Sequence, residues 1–299
     1  VLDRASTFAL PELLQLLRDD LIAVAIDQAY QRRQQDAEGE FYRRIAAQSP
    51  RSDFGATTQG FYVATAAGDL LLYNNNRDPQ KVERLVREAV AKHRTAAKRE
   101  AAAPIDSGAP DRRWHAVPPE GGLVVRVHGK VLGGYGEAKT EFARILHAAV
   151  SRDNLWITAA ERKQLVAGEL PETLLRRIAR FHLVDATRGE PPMWREDEVQ
   201  ELKVARDGEH VRGTVRLSTK DGERRLVAEL RGRIVLGGAG EQRFELVCLG
   251  TFAGEGPYTR GAPAGEFPLA LTFVLADGTD AADAVPPQGS RGWLAGYLR

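Results

Sequence analysis

Residues 7–27, TFALPELLQLLRDDLIAVAID, change character at their midpoint. Leu10, Leu13, Leu14 and Leu17 recur at i, i+3, i+4 and i+7, the apolar stripe of an amphipathic helix. Pro11 fits the first turn of that helix, where its missing N–H costs nothing. From Leu21 the helical period stops. LIAVAID is a continuous apolar run bounded by charge, the pattern of a strand covered on both faces. A helix running straight into a buried strand predicts an α/β unit at this end of the chain.

The next residues extend the pattern. QAYQRRQQDAEGEFYRRIAAQSP (28–50) is polar and helix-prone and stops at Pro50. GFYVATAAGDLLLYNNN (60–76) reads as two short strands around the turn Ala66–Ala67–Gly68–Asp69. Asp78 is a candidate N-cap with Pro79 at the first helical position, and Val82, Leu85, Val86, Ala89 and Val90 make one apolar face. The order over 1–95 is therefore helix, strand, helix, hairpin, helix. Residues 96–121 lose all apolar periodicity and gain Ala, Pro, Gly and charge, which reads as a linker.

On LLQLLRDDLIAVAID, GFYVATAAGDLL and DPQKVERLVREAV, taken in that order, residues 1–95 resemble the thioredoxin-like proteins. The resemblance implies a redox cysteine motif just before the first helix, at or upstream of Val1, and a proline in the loop before the hairpin. This sequence has neither: no cysteine precedes the helix, and the loop ATTQG (56–60) has no proline. Dithiol exchange needs a nucleophilic thiolate and a resolving thiol. The expectation is a thioredoxin-like domain lacking redox cysteines. The rival is a thiol–disulfide oxidoreductase whose cysteine motif lies upstream of Val1.

A length of 299 residues suggests about two domains, and 43% hydrophobic with 28% charged residues suits a globular chain with a sizeable core. A formal net charge of +1 argues against a nucleic-acid or membrane-surface partner. With Cys248 as the one cysteine, an internal disulfide or a Cys-based zinc site is excluded. No apolar run approaches the ~18 residues of a membrane span. The chain opens on Val rather than Met, which sets the expectation of a processed or trimmed product, extracytoplasmic and bacterial.

The second half begins with a strand in LVVRVHGKVL (123–132) and a helix with Phe142, Ile145, Leu146, Ala149 and Val150 on one face. ITAAERKQLV (157–166) carries a capping box, Thr158 with Glu161. LPETLLRRIARFHLVD (170–185) adds a helix with Leu174, Leu175, Ile178 and Phe181 inward. Beyond TRGEPPMW (187–194) the period changes to two, in sets through Val211–Leu217, Leu226–Leu236 and Phe244–Phe252, with FPLALTFVLA (267–276) as the fourth. Turn signals at Asp207–Gly208, Asp221–Gly222 and GGAGE (237–241) make this an antiparallel meander packed on helices. The fold class is thus mixed: a thioredoxin-like domain over 1–95, a linker over 96–121, and an α+β domain over 122–299.

Chemistry-bearing residues are sparse. Cys248 shares the parity of Phe244, Leu246 and Phe252 and reads as a small core residue. The histidines 93, 115, 128, 147, 182 and 210 form no His-x-His or His-x3-His pair, so no metal and no cofactor is assigned. HGKVLGGYGE (128–137) is neither a dinucleotide fingerprint nor a P-loop, and reads as a tight turn. Arg212, Arg216, Arg231 and Arg233 lie on the outward face of the sheet without interleaved aromatics, unlike a nucleic-acid platform. If TKDG (219–222) makes the turn, Arg212 falls opposite Glu229. The long loop 253–267, with Glu255, Tyr258, Arg260 and Glu266, and the segment 187–194, with Arg188, Glu190 and Trp194, hold the best concentration of polar and aromatic groups.

The sequence supports a non-catalytic binding or interaction protein. Arg188, Glu190, Trp194, Glu255, Tyr258 and Arg260 are its candidate contact residues, for a protein or small-molecule partner. An enzyme working through Glu and Arg of the same loops is the other alternative, and it requires Glu255 or Glu266 buried beside an Arg.

Overall fold

The computed structural model describes residues 7–76, 78–95, 108–237 and 241–299. Most of the expected linker (96–107) and of the GGAGE turn (238–240) lies outside them. The chain divides into two compact units, one within Asp3–Ala116 and the other spanning Val117–Arg299. The described residues form a mixed α/β protein with one two-stranded and one seven-stranded antiparallel sheet.

The N-terminal unit contains α1 (Pro11–Asp20), α2 (Gln28–Gln31), α3 (Ala37–Ala46), β1 (Phe61–Ala64), β2 (Leu70–Asn74) and α4 (Pro79–Thr95). β1 and β2 form the expected hairpin, with Gly68 at φ +90°, a conformation that suits glycine. One face of the hairpin is covered by α1 and α4, where Leu13, Leu16, Val82, Val86 and Val90 pack with Phe61, Val63 and Leu72. Each such side chain, once fully buried, contributes about 1.5–3 kcal/mol. On the other face Tyr42 of α3 meets Tyr62 edge-on at 6.1 Å and bonds Thr58 Oγ1 at 2.6 Å.

Two expectations fail here. The long helix over 28–50 is two helices, because Gln34 and Asp36 break it. Asp36 caps α3 through the Gly39 amide, and a Cβ on Gly39 would collide with the Gln34 carbonyl. The expected buried strand LIAVAID is not formed: the backbone is extended at Leu21 and Asp27 but unpaired among the described residues. Residues 21–27 join no ladder, and Ile22 is 93% exposed. A strand needs neighbouring backbone on at least one edge, and none of the described residues supplies it.

The C-terminal unit contains β3 (Leu123–Val131), α5 (Glu141–Ala148), β4 (Val150–Ile157), α6 (Ala159–Val166), α7 (Glu172–Arg177, continued by a π turn at Ile178–His182), β5 (Val199–Asp207), β6 (His210–Ser218), β7 (Arg225–Val235), β8 (Arg243–Ala253), β9 (Glu266–Leu275) and α8 (Leu294–Tyr297). The strands lie in the order β4-β3-β9-β8-β7-β6-β5, all neighbours antiparallel, so β5 to β9 are the expected meander. The capping box of Thr158 and Glu161 starts α6 as read.

β4 departs from the reading. Val150 opens this strand rather than ending a helix, and α5 keeps Phe142 exposed. The polar start of β4, SRDN, hides its alternation. Arg212 pairs with Arg231, not Glu229, because Thr219 closes onto Arg224 and lengthens the turn by two residues. Gly232 lets β7 and β8 approach closely, since a Cβ there would collide with the Glu245 carbonyl.

The inner sheet face carries Phe244, Leu246, Cys248, Phe252, Phe267 and Phe273, all buried. α7 lies over it, with His182 edge-on to Phe273 at 6.4 Å. The C-terminal segment covers the outer face of β3 and β4: Asn154 donates to the carbonyls of Ala282 and Val285, and Arg126 and Arg152 both bind Asp283. It then rounds the β4 edge, where the Gln288 amide donates to Asp153 Oδ1, and ends beneath α7. That closes one edge of the sheet. Among the described residues of this unit, no segment covers the outer face of β6 to β9.

Candidate functional site

The loops 187–194 and 253–267 touch. A Cβ on Gly189 would strike the Tyr258 carbonyl, and one on Gly256 would strike Pro192. Arg188 is buried, ion-pairs with Asp185 Oδ2 at 2.6 Å, and donates to the Thr259 carbonyl at 3.0 Å and the Tyr135 hydroxyl at 3.2 Å. Trp194, 1% exposed, donates its indole N–H to the Leu183 carbonyl at 2.8 Å, under the Arg224 guanidinium at 4.0 Å. Burial lowers the basicity of Arg224 against the opposing charges of Glu198 and Asp221. It donates to the carbonyls of Pro192 and Met193.

The remaining candidates are outside. Glu255 is exposed and accepts from Arg260 at 2.8 Å and from the amides of Gly261 and Ala262. Arg260, then the Ala262 amide, hold its carboxyl below the usual range. Glu190 reaches Arg291 at 3.4 Å, and Tyr258 is 73% exposed. Glu266, also exposed, pairs with Arg225. Neither Glu255 nor Glu266 is a desolvated carboxylate of the kind an acid–base mechanism would use. Arg188 and Trp194 hold the two loops together from beneath, while Glu255 and Arg260 set the outer turn.

A second polar cluster lies under α7. Arg177 forms a bidentate pair with Glu161 at 2.8 and 2.9 Å and donates to the carbonyls of Trp156, Tyr297 and Leu298. His182 places Nε2 2.7 Å from the Tyr297 hydroxyl and Nδ1 3.1 Å from Asp153 Oδ2. Carboxylate, imidazole and hydroxyl lie in a row, but His182 Nδ1 makes no hydrogen bond among the described residues, and both His182 and Tyr297 are buried. Their chemistry is tethering: Arg177 and His182 fasten the last turn of the chain to α7.

Cys248 is buried among the inner-face residues of β8, and burial pushes its thiol up to about 12. A thiolate is therefore scarce at neutral pH, and native Cys248 should not react with Ellman's reagent in mildly alkaline buffer until denaturant is added. Rapid labelling of the folded protein would contradict this placement.

The open outer face offers a different surface. Val227, Val247 and Leu249 are each about half exposed and floor a shallow trough of about 690 Å³. Glu201, Thr214, Arg216, Glu229 and Arg231 rim it. Their positions follow from the ladder: Arg216 lies opposite Val227, Arg231 opposite Val247, and Glu229 opposite Leu249. Glu229 is neutralised by Arg231 at 2.7 Å, and Glu201 by Lys203 at 2.6 Å. Arg212 and Arg216 have no carboxylate within 4.0 Å among the described residues, and Arg212 lies opposite another arginine, Arg231. Like charges across a ladder are unfavourable at that pair, whereas Arg216 lies opposite Glu201.

A second hollow of about 460 Å³ in the N-terminal unit is lined by Asp36, Glu40 and Arg43. Asp36 is spent on the Gly39 and Asp111 amides, and Arg43 on the Gln34 carbonyl. Among the described residues no helix is long and apolar enough to cross a membrane.

Comparison with family models, curated proteins and solved structures gives no match. The site is therefore defined by geometry alone. The sequence reading passed over Val227, Val247 and Leu249. Their signal was present: apolar residues at the outward parity of strands whose other face is already apolar.

Proposed function

We propose that this chain is a non-catalytic interaction protein. Its N-terminal unit is a thioredoxin-like scaffold without redox cysteines, and its C-terminal unit docks a partner on the open sheet face. The hairpin covered by α1 and α4 on one side and α3 on the other supports the scaffold reading. The docking reading rests on one observation: three apolar side chains exposed together beside Arg216, which has no carboxylate within 4.0 Å among the described residues. Exposed apolar floors with a polar rim mark interaction sites. The partner is a protein segment with an apolar stripe bordered by Asp or Glu. The two loops contribute less, because their polar groups are engaged with each other and only Tyr258 projects freely.

The test separates face from loops. With Leu249 replaced by benzoylphenylalanine, irradiation should cross-link a segment of that composition. The corresponding synthetic peptide should bind the wild-type chain, and Val247→Glu with Leu249→Glu should weaken it roughly tenfold or more, the scale of a central hot spot. Tyr258→Ala should leave it unchanged. A peptide bound equally by the double variant, or lost only with Tyr258→Ala, would falsify the assignment.

A further inference from the structure

Residues 21–27 of the N-terminal unit stand out on three counts. Their backbone is extended at both ends, Leu21 and Asp27, they are apolar on both faces, and residues 22–26 make no backbone hydrogen bond among the described residues. Ile22 and Val24 are 93% and 73% exposed. The ends, by contrast, are fixed. Leu21 packs into the core between α1 and α4, Asp27 caps α2 through the Ala29 amide at 2.8 Å, and Gln28 Oε1 accepts from the Thr58 amide at 3.1 Å. The chain therefore holds out an anchored segment whose N–H and C=O groups, unpaired among the described residues, invite another strand. Because the ends are anchored, little further ordering is needed to bind.

We infer that this segment pairs with the same segment of a second copy, antiparallel, about a two-fold axis through Val24. The argument is the sequence itself. Ile22-Ala-Val-Ala-Ile26 reads the same in both directions. An antiparallel two-fold centred on Val24 sets Ile22 against Ile26, Ala23 against Ala25 and Val24 against Val24. Bulky side chains meet on one face and small ones on the other, the self-complementarity an isologous contact needs. A run with no such symmetry would offer a second copy no preferred register. The carboxylates that close the run do not oppose the pairing, because Asp20 is held by Arg94 and Asp27 by the α2 cap. One short strand pair buries less than the ~1,200 Å² of a standard interface, so the dimer is expected at about micromolar strength or weaker.

The experiment uses the full chain. Sedimentation equilibrium should show a reversible monomer–dimer system. Val24→Lys, which sets two ammonium groups against each other on the axis, should weaken it roughly tenfold or more. Val24 is already exposed, so an unchanged circular dichroism spectrum is expected of the variant. Register is read separately: under mild oxidation Val24→Cys should form a disulfide dimer far faster than Ile22→Cys, since only position 24 meets itself. Native Cys248 is buried and does not compete. A monomer up to hundreds of micromolar, a dimer indifferent to Val24→Lys, open-ended association, or equal cross-linking at 22 and 24 each overturns the inference.

Discussion

Arg177→Met should destabilise the C-terminal unit by about 3–5 kcal/mol at neutral pH, the cost of leaving a buried charge unpaired. Glu161 would be the stranded partner. It is buried, and in the native protein its oxygens also accept from the Thr158 amide and the Thr173 hydroxyl. The loss reaches the chain end, because Arg177 donates to the Tyr297 and Leu298 carbonyls. In a unit of this size that corresponds to a fall in Tm of roughly 6–20 °C, measurable by calorimetry. A change within a degree would mean that the pair adds nothing that solvent does not replace.

The same pair sets an acid dependence with a definite sign. Burial pushes the Glu161 carboxyl up, but the Arg177 hydrogen bonds, then the Thr158 amide, outweigh it and leave the group below its ordinary value. A carboxylate depressed in the folded state contributes stability that is present above its unfolded pKa and lost as pH falls through the folded one. The wild type should therefore lose this contribution below about pH 4.3. In Arg177→Met the unpaired carboxyl can protonate instead, so the gap between variant and wild type should narrow on acidification. Chemical denaturation at several pH values reads this directly, and a gap that widens would contradict the assignment.

Local chemistry made most of the C-terminal unit legible. The Thr158–Glu161 box, the period-two runs of β6 to β9 and the parity of Cys248 all depend on residues close in sequence. What stayed hidden depended on distant partners. LIAVAID has the composition of a buried strand, yet burial needs neighbours that the described residues do not supply. β4 was missed for the converse reason: its polar residues are buried by partners more than a hundred residues away, as Asn154 is by Ala282 and Val285. The Arg212 register failed on a two-residue difference in turn length, which no side-chain pattern records. The candidate contact residues divide in the same way. The sequence brought Arg188, Trp194, Glu255 and Arg260 to notice by their type, but only the fold distinguishes a guanidinium facing solvent from one spent on Asp185.

Trp194→Ala is the sharpest test of that distinction. If Trp194 were a ligand-facing aromatic, its removal would weaken binding and leave stability nearly intact. Its surroundings predict the opposite. The ring is buried against Phe252 at 6.2 Å, the indole N–H is committed to the Leu183 carbonyl, and the Arg224 guanidinium lies on its face. Removing a buried Trp leaves a cavity and costs about 3–5 kcal/mol, and Arg224 loses a cation–π contact in a place where burial already disfavours its charge. The unit should melt roughly 6–20 °C lower. Trp194→Phe, which keeps the ring but not the N–H, should recover part of the loss and still leave the Leu183 carbonyl without its donor. Below its melting temperature the Ala variant should bind a peptide at Val247 and Leu249 as the wild type does, since the sheet's outer face is on the other side of β8 from Phe252. Weaker peptide binding with an unchanged Tm would return Trp194 and its loop to the contact surface.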